Sequence, residues 1–174
     1  ALHATGYKGK VVCTNPKTFS TKSNAEFAAK CMDVELGEEI GFQYRGSKLD
    51  NGKPSKSDKT KLLFSTDGSI VAQLINDPYL KAYDVVIIDE AHERQVNIDL
   101  LILLMKRALK LNDKLKLIIM SATLPGDLFV NYFKKDGFKV ENIYIEGETH
   151  YDVEDIFLPK VEKDYLAKGV DIIV

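Results

Sequence analysis

The clearest pattern in the sequence is the run Val85-Val86-Ile87-Ile88, apolar at every position and followed at once by Asp89-Glu90. A strand with one wet face alternates apolar and polar residues. An uninterrupted apolar run predicts burial on both faces, as in a parallel sheet covered by helices. Leu117 to Met120 repeats the pattern, and Val11-Val12-Cys13 is a shorter version broken by Asn15-Pro16. Ile40 to Tyr44, Leu62-Leu63-Phe64 and Ile143-Tyr144-Ile145 predict further strands. Helical spacing lies between them. Ile98, Leu101, Ile102, Met105 and Leu109 form one stripe. Ile70, Val71, Leu74 and Ile75 form another, capped by Thr66 or Asp67 and stopped by Asn76-Asp77-Pro78. Ser23-Asn24-Ala25-Glu26 has the form of a capping box, with Phe27, Ala28 and Cys31 following at helical spacing and Gly37 ending the segment. Leu128 to Phe133 predicts a short helix. Residues 47 to 60, rich in Lys, Ser, Asp, Asn and Gly, read as an exposed loop. Strand and helix alternate, so the fold class is an α/β sandwich with a mostly parallel sheet and right-handed crossovers.

Composition narrows the class. With 174 residues, 45% hydrophobic and 29% charged, the chain suits one globular domain with a sizeable core. No apolar run approaches the roughly 18 residues needed to span a bilayer. No basic, apolar leader precedes the first strand. These features predict an intracellular chain, with nucleus and cytoplasm both open. The chain starts on Ala1, which predicts a piece of a larger protein. A net charge of −2 argues against a protein that coats polyanions, but a local groove needs only a few well-placed donors. Lys48, Lys53, Lys56, Lys59 and Lys61 cluster early, and Glu141, Glu146, Glu148, Asp152, Glu154 and Asp155 cluster late. The lysines read as a solvated loop. Cys13 and Cys31 have no metal-type spacing and predict two buried, reduced thiols.

Ligands of such sheets bind beyond the carboxyl ends of the strands. Each strand here ends in small polar or charged residues: Thr14-Asn15-Pro16-Lys17, Ser65-Thr66-Asp67-Gly68, Asp89-Glu90-Ala91-His92 and Ser121-Ala122-Thr123. Strand alternation turns Asp89 and Glu90 in different directions. One carboxylate can then hold a hydrated Mg2+ while the other polarises a water for attack on a phosphate. An isolated Asp-Glu pair more often caps the next helix. The apolar run before this one and Ala91-His92 after it favour the chemical reading.

Asp89-Glu90-Ala91-His92-Glu93-Arg94 resembles the signature of the DEAH-box family of superfamily 2 helicases. Ser121-Ala122-Thr123 resembles that family's third motif, Thr14-Asn15-Pro16-Lys17 its motif Ia, and Thr66-Asp67-Gly68 its motif Ib. Gly41-Phe42-Gln43-Tyr44-Arg45 resembles a turn that carries an RNA-touching arginine. The resemblance implies a RecA-like three-layer sandwich of the P-loop NTPase type, acting with ATP or another NTP and Mg2+ on single-stranded nucleic acid, RNA before DNA. It implies that Asp89 holds Mg2+ through water and that Glu90 activates the hydrolytic water. His92 would connect the nucleotide site to Ser121 and Thr123, whose hydroxyls suit that link. Arg94 would pair with acids near the site, with a structural ion pair as the alternative. Thr66, Asp67 and Gly68 would meet the strand at a phosphate. Pro16 and Lys17 would bring a backbone amide and an ammonium, and Arg45 would reach the sugar-phosphate backbone.

The sequence departs from the family pattern in places. Asn15 stands where Gln is usual, Lys17-Thr18 where Arg-Arg is usual, and Gly147-Glu148 where Gly-Arg is usual. The phosphate-binding loop Gly-x-x-x-x-Gly-Lys-Thr is absent, and Gly6-Tyr7-Lys8-Gly9-Lys10 resembles the segment that follows it. The expectation is a first RecA-like domain over residues 1–158, truncated at its N-terminus. Residues 159–174 would be a linker and the start of a second such domain, with Glu162 to Leu166 resembling its first helix. Without that loop and second domain, the isolated chain is expected neither to bind ATP tightly nor to hydrolyse it, and to expose apolar surface where they would pack. The alternatives are a DNA-directed helicase of the superfamily, or a helicase-like scaffold without ATPase activity.

Overall fold

A computed structural model describes residues 8–123, 127–145, 157, 161 and 163–173, excepting the side chains of 171 and 173. Contacts divide the chain after Val140. In the first unit, the strands β1 (Val11–Asn15), β2 (Ile40–Gln43), β3 (Leu62–Thr66), β4 (Val85–Ile88) and β5 (Lys116–Ile119) form one sheet in the order β2-β3-β1-β4-β5. Every pairing is parallel. The helices are α1 (Thr18–Met32), α2 (Asp67–Asn76), α3 (Val96–Leu111) and α4 (Asp127–Lys134), and a 3-10 turn spans Ala91–Glu93. The second unit contains α5 (Tyr165–Ile173).

Strand alternation builds the three layers. Leu63, Val12, Val86 and Ile88 point into a core with Ile70, Val71 and Leu74 of α2 and Ile98, Leu101, Ile102 and Met105 of α3. On the opposite face Leu62, Phe64, Ile40 and Phe42 pack against Ala25 and Ala29 of α1. Small residues on the buried side of α1 let it lie close to the sheet. Gly41 serves a close approach on the outer side of β2, since a Cβ there would come within 2.8 Å of the Ser55 carbonyl oxygen. Phe42 N–H donates to that same oxygen at 3.0 Å, so the loop over residues 47–60 seals the β2 edge. α3 and α4 are joined by Asp136, which pairs with Lys106 and, at 2.9 Å, with Lys110. Hydrogen bonds from the two lysines pull its carboxyl down to about 2.

Several expectations need correction. α1 begins at Thr18, a turn before the Ser-x-x-Glu box, because Pro16 and the extended Lys17 already form its entry. Ser23 is therefore inside the helix. Its buried face is Thr21, Ala25 and Ala29, which leaves Phe27 and Cys31 exposed. The helix ends at Met32 on a left-handed Asp33, and Gly37 belongs to the next turn, donating to the Ile40 carbonyl at 2.7 Å. Ile143, Tyr144 and Ile145 form no strand and are exposed. β5 is not buried on both faces. It is the sheet's edge among the described residues, with Leu117 and Ile119 packed on the core and Ile118 exposed.

The thiols now separate. Burial, followed by the charges of Asp89 and Asp67, pushes Cys13 up to about 12, whereas Cys31 is exposed. The thiolate is the reactive form. Iodoacetamide is expected to label Cys31 alone in the folded chain and both cysteines in denaturant, as counted by intact-mass spectrometry.

Candidate functional site

The carboxyl ends of β1, β3 and β4 meet because their registers align Asn15 with Thr66, and Thr14 with Ile88. Asp89 thus emerges beside β1, with its N–H donating to the Thr14 carbonyl at 3.1 Å. Its carboxylate is fixed twice. Asn15 Nδ2 donates to Oδ2 at 3.1 Å, and the Glu90 N–H donates to Oδ1 at 2.9 Å. Glu90 has φ 55°, in the left-handed region that costs a non-glycine residue about 1–3 kcal/mol. That backbone turn separates its side chain from Asp89 and leaves it half-exposed at the rim.

His92 joins the next loop. Its Nδ1 accepts the Ala122 N–H at 3.3 Å, and its Nε2 lies 3.3 Å from Glu90 Oε2. These partners place the ring proton on Nε2, donating to Glu90. The predicted link to residues 121–123 includes the main chain at Ala122. Ser121 and Thr123 are both exposed beside it. The loop is held close because the Ala91 N–H donates to the Met120 carbonyl, and the Met120 N–H to the Ile88 carbonyl.

Arg94 takes the structural alternative. Its Nε and Nη2 donate to the two oxygens of Asp99 at 2.7 and 3.0 Å, in the first turn of α3. Its own left-handed backbone, φ 48°, turns it toward that helix.

The residues expected to meet a strand occupy the same rim. Lys17 and Arg45 are exposed, and Pro16 is partly so. Lys17 Nζ lies 3.2 Å from Glu93 Oε1, an exposed pair of the kind worth about 0–1 kcal/mol that a phosphate can displace. Thr66 Oγ1 shares a hydrogen bond with Ser69 Oγ at 2.8 Å. The Asp67 side chain is turned inward and only 2% exposed, so this residue offers a strand its main chain and not its carboxylate. At Gly68 an added Cβ would meet Asn97 Nδ2 at an ordinary 3.5 Å.

Sequence reading missed the buried polar layer beneath this rim. Thr14, Asn15 and Asp67 are each at most 2% exposed, and Thr14 Oγ1, Asn15 Oδ1 and Asp67 Oδ1 lack a well-formed hydrogen bond. Burial raises the Asp67 carboxyl above its ordinary 3.8. The nearby Thr14 hydroxyl pulls the other way, and the charges of Glu93 and Asp89 raise it further. As pH rises through 3.8 the unfolded chain loses the proton first, so the native state is progressively disfavoured until its own carboxyl ionises. Relative to Asp67→Asn, the wild-type chain is expected to lose thermal stability as pH rises from 3.8 toward neutrality. Equal melting differences at both ends would contradict this.

The donor set suits Mg2+. Asp89 offers an oriented, hard oxygen ligand, and no cage of three or more metal-binding side chains exists among the described residues. Mg2+ is commonly held this way, by one or two carboxylates together with waters and nucleotide phosphates.

A parallel sheet with an acidic pair after β4, tied by histidine to the loop after the neighbouring β5, defines a nucleotide-hydrolase core of the helicase type. The chain belongs to the DEAD/DEAH box helicase family, whose model matches residues 2–129. It is 42% identical over 175 residues to a protein of Acanthamoeba polyphaga mimivirus named as a candidate ATP-dependent RNA helicase. That match covers 99% of this chain and 24% of the viral protein. Among solved structures it resembles the Escherichia coli DEAH/RHA helicase HrpB with a TM-score of 0.64 and 29% identity, over 73% of this chain and 16% of that one. The chain thus spans about a quarter of the length of the curated relative it matches. The RecA-like α/β fold expected from the sequence stands.

Proposed function

We propose that this chain is the hydrolytic half-site of an ATP-driven RNA helicase, and that the carboxyl rim of its sheet carries both nucleotide and strand. The observation that carries the reading is the chain of contacts Asp89–Glu90–His92–Ala122, which runs from the acidic pair to the next strand's loop. Asp89 would hold Mg2+ through water, and the ion would neutralise charge on the nucleotide phosphates. Glu90 accepts a proton from the attacking water. His92, hydrogen-bonded to Glu90, feels that change and passes it to residues 121–123. Pro16, Lys17, Arg45, Thr66 and the Asp67-Gly68 main chain bind the strand through its backbone, which suits a motor that moves along any sequence.

Residues 1–158 are assigned to a first RecA-like domain and 159–174 to a linker and the start of a second. The whole protein would supply a phosphate-binding loop beside β5, whose exposed Ile118 offers it an apolar edge, and the arginines of a second domain. RNA is favoured over DNA by the viral relative's name. The test is ATP turnover by the whole protein with single-stranded RNA, single-stranded DNA or neither. Stimulation by RNA above DNA is expected. Equal stimulation would make it a DNA-capable helicase, and no turnover at all would make it a scaffold.

Gly68 gives a sharper test of the strand path. Nothing in the fold of this unit requires glycine there, so Gly68→Ala is expected to melt at or slightly above the wild-type temperature. A strand lying on the turn would meet the new methyl. RNA affinity measured by fluorescence anisotropy should therefore fall several-fold.

A further inference from the structure

α1 carries an aromatic ring that the fold does not use. Phe19 is 82% exposed, because the helix buries the face of Thr21, Ala25 and Ala29 instead. Leaving a phenyl group in water forgoes the gain from burying it. The ring lines an open groove of about 410 Å3, together with Thr18, Lys22, Ser23, Glu26 and Tyr44. Tyr44, the facing aromatic, is held in place by stacking on the fully buried Phe42, with centroids 5.7 Å apart and planes inclined by 25°. One wall of the groove therefore continues directly from Pro16-Lys17, and the other leads directly into Arg45. The structure brings together two segments that lie far apart in the sequence, each with an exposed cation next to a groove-lining residue.

We propose that this groove is a nucleobase subsite, in which Phe19 stacks on one base of the bound single strand while Lys17 and Arg45 hold the flanking phosphates. The inference rests on the strand-binding reading above and adds a base contact to it. An aromatic face with hydroxyls beside it, on two segments that each carry an exposed cation, matches a flat base joined to a sugar and phosphates. Stacking also tolerates any sequence, because every base has a π-face. Lys22 is held by Asp50 at 2.7 Å and by Glu26 at 3.6 Å, so it braces the groove wall. Two cations adjoin the lining in sequence: Lys17, in its displaceable pair with Glu93, precedes Thr18, and the exposed Arg45 follows Tyr44.

The test compares binding of the whole protein to a single-stranded oligouridine and to an abasic ribose-phosphate strand of equal length, by fluorescence anisotropy. Wild type is expected to bind the base-bearing strand more tightly. Phe19→Ala should weaken that binding about tenfold, leave the abasic strand unaffected and leave the melting temperature unchanged. Phe19→Trp should retain the affinity. Phe19→Leu, which keeps apolar bulk without a π-face, should not. Unchanged oligouridine affinity in Phe19→Ala would overturn this inference alone and would return the groove to a protein segment. Equal rescue by Leu and Trp would also overturn it. Failure of wild type to bind either strand would overturn the strand-binding reading and this inference with it.

Discussion

Glu90→Gln is expected to reduce ATP turnover by the whole protein by about 100- to 10,000-fold, the range spanned by loss of a general base. Glutamine keeps the size and one carbonyl oxygen of glutamate, so the hydrogen bond from His92 Nε2 survives. It cannot take a proton from water. The left-handed backbone at Glu90 is unaffected by the exchange, and the half-exposed side chain packs no core. Stability should therefore change by no more than about 0.5 kcal/mol. Nucleotide affinity should hold, because the carboxylate of Asp89, the proposed metal ligand, keeps its bonds from Asn15 and the residue-90 amide. Phosphate release measured beside nucleotide binding separates the two effects. Turnover surviving at the wild-type rate would remove Glu90 from the chemistry.

The largest structural effect is expected at Phe42. Phe42→Ala should destabilise the chain by about 3–5 kcal/mol, the usual cost of emptying a buried phenylalanine site. The ring is wholly buried between β2 and the small-residue face of α1, where Ala25 and Ala29 cannot fill the space left behind. Its loss also removes the support on which Tyr44 stacks. Phe27→Ala makes the contrast. That ring, on the neighbouring helix, is 70% exposed, so its removal should cost within about 0.5 kcal/mol. Urea unfolding of both variants tests the pair, and equal losses would contradict the layer arrangement.

These two phenylalanines also show where the sequence was legible. β1, β4 and α3 were readable because a long apolar run or a helical stripe has one packing solution in a covered sheet. The acidic pair was readable for the same reason, as it directly follows such a run. α1 was misread. Its buried face is made of Thr and Ala, which carry little hydrophobic signal, while Phe19 and Phe27 advertise a face that the fold leaves in water. β5 reads as doubly buried from composition alone, but burial depends on neighbours, and among the described residues it is an edge. Ile143-Tyr144-Ile145 has strand propensity without a ladder partner among the described residues. At the site, Asp89, Glu90 and His92 were legible as candidates because they stand together in one local motif. The inward turn of Asp67 and the use of the Ala122 amide depend on contacts between segments, which no local pattern encodes.

The measurement that bears most directly on the central claim is strand displacement from a tailed RNA duplex by the whole protein. Wild type should release the strand with ATP and Mg2+ and not without ATP. Glu90→Gln should bind the same duplex and release nothing. Displacement that proceeds equally without ATP, or undiminished in Glu90→Gln, would contradict a motor driven by hydrolysis at this site.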